Sequence, residues 1–137
     1  MTTKPKLLFV DDRTKRIHYA LNNFPEYDVT IACNVPEALR QMVKEDYGVI
    51  SLDHDLMGTD FEDPDTPTSG MEIVRYIVKC GGWPKDKVPE FWIHSSNLFA
   101  AHLMEITLLE VGIYAYYKPI IYKVENMKYD KEGIPIL

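Results

Sequence analysis

Apolar positions along the chain alternate between short continuous runs and longer stretches with helical spacing. The short runs are rich in residues that favour β-strands. They cover residues 7–11, 27–32, 48–53, 90–95 and 113–117. The longer stretches repeat their apolar residues every three to four positions, as amphipathic helices do. They cover residues 13–24, 35–45, 69–80 and 98–111. The pattern therefore predicts strands and helices in strict alternation.

Capping residues support the ends of these predicted helices. Asn34 is placed to cap the second helix, with Pro36 in its first turn, and Asn97 is placed to cap the last one. The pair Gly81-Gly82 and the single Gly112 follow helical stretches, where glycine commonly ends a helix.

A strand–helix alternation of this kind predicts an α/β fold with a parallel sheet covered on both faces. Right-handed crossovers then favour a flavodoxin-like, doubly wound, five-stranded sheet with strand order 2-1-3-4-5. We interpret residues 1–137 as a single domain with a core over about 5–120. The remaining 121–137 have no helical stripe, so the last helix of such a fold is predicted to be replaced by an irregular or hairpin tail.

Composition excludes several classes of protein. The apolar fraction is 46% and no apolar run approaches the length of a membrane span, so we expect a cytoplasmic protein with no membrane contact. The net charge of −6 argues against general coating of DNA, although a nucleotide or a nucleic-acid end remains an allowed ligand. The two cysteines show no CxxC spacing, which argues against a disulfide framework or a zinc site.

Polar residues collect after the predicted strands, at the edge where ligands of this fold class bind. After the first strand come Asp11, Asp12 and Arg13, and after the third come Asp53, His54 and Asp55. The fourth delivers His94, Ser95, Ser96 and Asn97, and the fifth delivers Lys118. Because strands 1, 3 and 4 are neighbours in the predicted order, these groups are expected to converge.

Carboxylates that converge in this way repel one another unless a cation lies between them. Asp11, Asp12 and Asp53 are therefore candidate ligands of a divalent metal, Mg²⁺ or Mn²⁺. Mg²⁺ usually combines one or two carboxylates with water and phosphate oxygens, which favours phosphoryl chemistry. The alternative is that each aspartate only forms a turn or caps a helix.

Other polar and aromatic residues have simpler explanations. His18 and His102 lie within predicted helices and read as surface residues, and the acidic loop 60–65 reads as a solvated flap that could also serve as a lid. The remaining aromatic residues read as core or rim: Trp83, Trp92, Tyr114, Tyr116 and Tyr117.

The motifs "LLFVDDR", "VISLDHDL", a hydroxyl after strand four and "YYKP" after strand five resemble response-regulator receiver domains. The resemblance implies that Asp11 and Asp12 bind Mg²⁺ and that Asp53 corresponds to the phosphoacceptor. It also matches Ser95 to the serine or threonine that follows strand four in those domains, and Lys118 to the lysine of their Lys-Pro pair.

The sequence departs from ordinary receivers at His54, at His94, in a longer loop after strand three and in its tail. The combination of "DDR", "SLDHDL" and "IHSSN" resembles a divergent branch, the cyclic-phosphate-processing receiver-like domains. That resemblance implies an enzyme acting on a cyclic phosphate, with a cyclic nucleotide or an RNA terminus bearing a 2′,3′-cyclic phosphate as partner.

Hydrolysis of a cyclic phosphate would use these residues in distinct roles. His54 and His94 could act as base and acid, with Asp53 at the metal and Asp55 orienting a histidine or binding the metal. The phosphate would be screened or bound by the remaining polar residues: Arg13, Ser95, Ser96, Asn97 and Lys118.

Two other functions remain open at this level. The chain could be a stand-alone phosphoacceptor receiver phosphorylated on Asp53, or a non-catalytic module that binds a nucleotide. A sheet face left uncovered by the missing helix could also pair with a second copy to form a homodimer.

Overall fold

The computed structural model describes residues 3–58, 61–120, 128–132 and 134–136. Five strands alternate with four helices, as predicted. The strands are β1 (Lys6–Val10), β2 (Asp28–Ala32), β3 (Val49–Leu52), β4 (Glu90–Ile93) and β5 (Ala115–Tyr117). The helices are α1 (Thr14–Asn23), α2 (Val35–Lys44), α3 (Gly70–Lys79) and α4 (Leu98–Leu109).

The strands form one parallel sheet in the order β2-β1-β3-β4-β5, which confirms the predicted flavodoxin-like topology. In its register Val10 lies beside Leu52, and Leu52 lies beside Ile93. Three neighbouring strands therefore end at the same level. The residues that follow them are brought to one edge of the sheet.

The two faces of the sheet are covered unequally. Helices α2, α3 and α4 pack on one face over a large apolar core that includes Val10, Leu52 and Ile93. The other face carries a smaller apolar cluster to which α1 contributes Ala20, together with strand residues such as Phe9 and Trp92. The face with α1 thus has less helical cover within the part of the chain that the structure describes.

Two of the predicted helix caps are present as hydrogen bonds. The Asn34 side chain accepts from the Glu37 backbone N–H at 2.9 Å, and the Asn97 side chain accepts from the Ala100 N–H at 3.2 Å. Each bond satisfies a donor that the first turn of a helix otherwise leaves unpaired.

Helix α4 is apolar on nearly all sides, although only one side packs against the core. Its inward residues are buried: Ala100, Ala101, Met104 and Leu108. Its outward side also carries large apolar residues, and four of these are exposed: Leu98, Phe99, Ile106 and Leu109. None of the described helices has the length and apolar character that crossing a bilayer requires.

The tail ends in a small antiparallel hairpin, as the sequence allowed. Its strands are β6 (Lys128–Tyr129) and β7 (Pro135–Ile136). The part of the predicted tail over 121–127 lies outside the described residues. No helix follows β5 within residues 118–120, 128–132 and 134–136.

Candidate metal and phosphate site

Three aspartates meet at the carboxyl ends of β1 and β3. One carboxylate oxygen from each of Asp11, Asp12 and Asp53 lies within 4.8 Å of the others. Asp11 and Asp53 are almost wholly buried, with 0% and 2% of their surface exposed. The structure thus brings together all three predicted metal ligands.

Arg16, in the first turn of α1, bridges two of these carboxylates. Its Nε lies 2.5 Å from Asp11 Oδ2, and its terminal nitrogen donates to Asp11 Oδ1 at 3.0 Å and to Asp53 Oδ2 at 2.9 Å. The arginine side chain is only 18% exposed and covers the buried carboxylates of Asp11 and Asp53. Its planar group with several fixed donors suits simultaneous contact with two carboxylates.

The two buried aspartates differ in proton affinity because their partners differ. Burial alone would raise the pKa of Asp11, but hydrogen bonds from His94 and Arg16 hold that pKa below its usual range. Burial raises the pKa of Asp53 to about 6, and the nearby charge of Asp11 adds to the rise against the opposing charges of His94 and Arg16. Of these two carboxylates, Asp53 is therefore the one whose ionised form is less favoured.

The cluster also has an unsatisfied oxygen, which fits a metal ligand. Asp12 Oδ2 accepts from the Gly58 N–H at 2.6 Å, whereas its Oδ1 is buried and has no partner among the described residues. A buried carboxylate oxygen without a donor is costly unless a cation or water binds it. Three carboxylates, one of which has an oxygen without a partner, suit a hard divalent cation.

His94 is the imidazole that contacts this cluster. Its Nε2 lies 2.9 Å from Asp11 Oδ2, and its Nδ1 lies 2.7 Å from the hydroxyl of Ser51 on β3. The ring of Phe9 stacks on it at 4.3 Å between centroids. Contacts on both ring nitrogens and on one ring face fix the orientation of the imidazole.

His54 and Asp55 form a separate pair. His54 Nδ1 lies 2.7 Å from Asp55 Oδ1, and the Asp55 carboxylate also accepts the backbone N–H groups of Phe61 and Glu62 at 3.0 Å. His54 is buried, and its Nε2 has no partner among the described residues. No contact found within residues 3–58 and 61–120 joins its ring to the three aspartates. In this structure the pair holds the loop after β3.

The predicted phosphate-binding residues are spread around the same edge. Ser95 is buried and its hydroxyl accepts from the Asn97 N–H at 3.1 Å, while Ser96 is exposed. Asn97, the cap of α4, also lies 3.5 Å from Asp55. The backbone N–H of Arg13 donates to Asp11 at 2.9 Å. The Lys118 amine lies over the Trp92 ring, 4.1 Å from its centre, so its recorded contact is with an aromatic ring.

Two residues of the site were missed at the sequence level. Arg16 lies within a helical stretch, and the available signal was its position in the first turn of a helix that starts just after Asp11 and Asp12. Ser51 lies within a strand that otherwise reads as core, and the available signal was a lone hydroxyl between apolar neighbours.

Sheet order and an acidic cluster at the ends of β1 and β3 together define a receiver-type domain. The profile of the cyclic-phosphate processing receiver domain matches residues 6–110, and the chain belongs to that family. Comparison with curated protein sequences gives no match.

Solved structures with the same fold are receiver domains at low sequence identity. A CheY-like receiver domain from Methanospirillum hungatei JF-1 has a TM-score of 0.59 and 21% identity, covering 87% of this chain and 85% of that one. The Francisella response regulator 1452 receiver domain has a TM-score of 0.55 and 22% identity, covering 82% of each chain. A Burkholderia pseudomallei response regulator, solved with a phosphorylated aspartic acid, calcium ion and citrate, has a TM-score of 0.60 and 16% identity, covering 86% and 62%. At these identities the likeness concerns the fold.

Proposed function

We propose that the protein is a cytoplasmic, metal-dependent phosphoesterase that opens a cyclic phosphodiester, either a cyclic nucleotide or the 2′,3′-cyclic phosphate of an RNA end. The observation that carries the proposal is the hydrogen bond between His94 and Asp11. It joins an imidazole, which has one ring nitrogen that can donate and one that can accept a proton, to a carboxylate cluster of the kind that binds metal and phosphate.

The reaction adds water to phosphorus and breaks one of the two ring P–O bonds, leaving a phosphomonoester and a free hydroxyl. Bound at Asp11, Asp12 and Asp53, Mg²⁺ or Mn²⁺ would supply Lewis-acid polarisation of the phosphoryl group. His94 would hold the proton that leaves the attacking water or returns to the leaving oxygen. Arg16 would screen negative charge that accumulates on the phosphate oxygens, once it releases part of its contact with the carboxylates.

The geometry favours His94 over His54 for proton transfer. His94 contacts the acidic cluster directly, whereas the recorded partner of His54 is Asp55, which also binds the backbone of the loop after β3. We therefore assign His54 and Asp55 to holding that loop beside the site. Phosphate oxygens would be bound by residues at the same edge: Arg13, Ser95, Ser96, Asn97 and Lys118.

The test is a hydrolysis assay with 2′,3′-cyclic and 3′,5′-cyclic mononucleotides in Mg²⁺, in Mn²⁺ and in EDTA. His94→Ala should lower kcat/KM about 100-fold or more. His102→Ala, at an exposed position on α4, is the matched control and should leave kcat/KM unchanged. Turnover that continues in EDTA, or that survives His94→Ala, would refute the metal and proton-transfer roles.

A second candidate is a phosphoacceptor receiver, favoured by the position of Asp53. It ends β3 beside two further carboxylates, and the Burkholderia protein of similar fold was solved with a phosphorylated aspartic acid and a calcium ion. Incubation with acetyl phosphate and Mg²⁺ would then add the mass of one phosphoryl group, and Asp53→Asn would abolish the gain. A protein that hydrolyses cyclic nucleotides without forming this adduct is an esterase and not a relay.

A further inference from the structure

A cavity of about 210 Å³ lies on the sheet face covered by α1. Its wall is rich in aromatic rings and also carries a hydroxyl, an imidazole and an amine. The residues that matter are Tyr19, Phe24, Ser51, Trp92, His94 and Lys118. The roles proposed so far for the acidic cluster do not use the aromatic part of this wall.

The cavity and the acidic cluster share one wall. His94 lines the cavity, and the same ring contacts Asp11 through Nε2 at 2.9 Å. On its other side His94 Nδ1 meets the Ser51 hydroxyl at 2.7 Å, and Ser51 also lines the cavity. One imidazole ring with a hydrogen bond at either side thus separates the two sites.

The chemistry of the wall suits a flat heteroaromatic ring. Aromatic side chains stack on any nucleobase, because every base presents a π-face. Trp92 is only 6% exposed, and its indole N–H is buried without a partner among the described residues. Bases carry ring nitrogens or carbonyl oxygens that accept such a donor, whereas an aliphatic ligand would leave it unsatisfied. The Lys118 amine, 4.1 Å from the Trp92 ring centre, adds a positive charge suited to a nucleotide anion.

We propose that this cavity receives the base of a nucleoside cyclic phosphate whose phosphate lies at the acidic cluster. The inference rests on the proposed function and adds to it the place where the base of the substrate binds. Recognition here relies on stacking and on one indole donor, so it distinguishes base-bearing from base-free phosphates more strongly than it distinguishes the four bases.

The experiment compares the 2′,3′-cyclic phosphates of adenosine, guanosine, cytidine and uridine with methyl riboside 2′,3′-cyclic phosphate, which lacks the base. In Trp83→Phe protein the remaining indole is that of Trp92, so its fluorescence reports binding at this cavity. The titration is run with Mg²⁺ and also in EDTA. At least one base-bearing ligand should bind about tenfold or more tighter than the base-free ligand and should change Trp92 fluorescence.

Variants assign the effect to the cavity, with affinity measured by calorimetry. Tyr19→Ala, at a half-buried position of α1, should weaken the base-bearing ligand about tenfold and leave the base-free ligand unchanged. Trp92→Phe keeps an aromatic ring but removes the donor, and should give a smaller loss of the same kind. Trp83→Phe is the matched control, because Trp83 packs against Phe91 in the core on the opposite face. It should change neither affinity.

The outcomes separate this inference from the proposed function. Equal affinity for base-bearing and base-free ligands, or equal loss of both in Tyr19→Ala, would overturn the cavity assignment even if cyclic phosphates are hydrolysed. Base-dependent binding without hydrolysis would support the cavity and refute the esterase. Binding without a change in Trp92 fluorescence would place the base elsewhere and would also overturn the assignment.

Discussion

Replacing Asp53 by asparagine removes a buried negative charge and nearly preserves the shape of the side chain. Asp53 is 2% exposed, lies beside Asp11 and has a pKa raised to about 6 from the ordinary 3.8. Its ionised form is therefore less stable in the folded protein than in the unfolded chain. We expect Asp53→Asn to stabilise the metal-free protein at alkaline pH.

The magnitude follows from the difference between the two pKa values. Between pH 4 and pH 6 the folded protein retains a proton on Asp53 that the unfolded chain has lost. The contribution of Asp53 to the free energy of unfolding is therefore greatest below pH 3.8, the pKa of the unfolded chain. It falls as the pH rises through about 6, by about 3 kcal/mol in total. Asparagine does not titrate, so the variant avoids this loss. The expected gain at pH 8 is between about 1 and 3 kcal/mol, or roughly 3 to 10 °C in Tm.

The assay is urea unfolding of wild-type and variant protein in EDTA at pH 4.5 and pH 8. The advantage of asparagine should be present at pH 8, should shrink towards zero at pH 4.5, and should also shrink when Mg²⁺ binds the wild-type site. Asp86→Asn, in an exposed loop, is the matched control and should show no such pH dependence. A variant that is less stable than wild type at pH 8 in EDTA, or a gain of equal size at both pH values, would refute the reasoning.

Three further substitutions test the contacts around the site. Arg16→Gln removes the positive group that bridges Asp11 and Asp53, so calorimetry should show Mn²⁺ binding about tenfold tighter or more, with Arg40→Gln as a control that has no effect. Weaker binding of Mn²⁺ would contradict the idea that Arg16 competes with the metal for these carboxylates. Gly70→Ala places a Cβ 2.0 Å from the Asp53 carbonyl oxygen and should lower the free energy of unfolding in urea by about 2 kcal/mol, whereas Gly48→Ala, with its nearest contacts at 3.6 Å, should be tolerated. Equal losses in the two variants would show that the backbone at Gly70 moves to accommodate the methyl group. Ser51→Ala leaves His94 Nδ1 without its hydrogen-bond partner, so it should lower the free energy of unfolding by about 1 to 2 kcal/mol and alter the pH profile of turnover. An unchanged urea midpoint would indicate that water replaces the hydroxyl.

The sequence predicted the fold well because buried strands and helices place their apolar residues at regular intervals. Continuous apolar runs such as 48–53 and helical spacing such as in 98–111 correspond to elements that differ from the prediction by only a few residues at their ends. Right-handed crossovers favoured the strand order 2-1-3-4-5, which the structure confirms. The meeting of Asp11, Asp12 and Asp53 then followed from that order, because neighbouring parallel strands end at a common edge.

Side-chain direction could not be predicted in the same way. His54 and His94 both follow strands, yet only His94 contacts the acidic cluster, while His54 pairs with Asp55. Lys118 was expected to face phosphate, and its recorded contact is the Trp92 ring. Arg16 was not expected at the site. Such choices depend on rotamers and on packing across distant segments, for which a single sequence carries no periodic signal.

The bridge that Arg16 makes between Asp11 and Asp53 has a consequence for the stability of the ion-free molecule. A chain that relied on a bound ion alone to offset the repulsion between its carboxylates would be destabilised by chelation. Here the Arg16 side chain already supplies one positive charge, half of what a divalent ion would bring. If the cluster binds a divalent ion, we therefore expect that ion to exchange without unfolding the chain, so that ion-free molecules can bind it again.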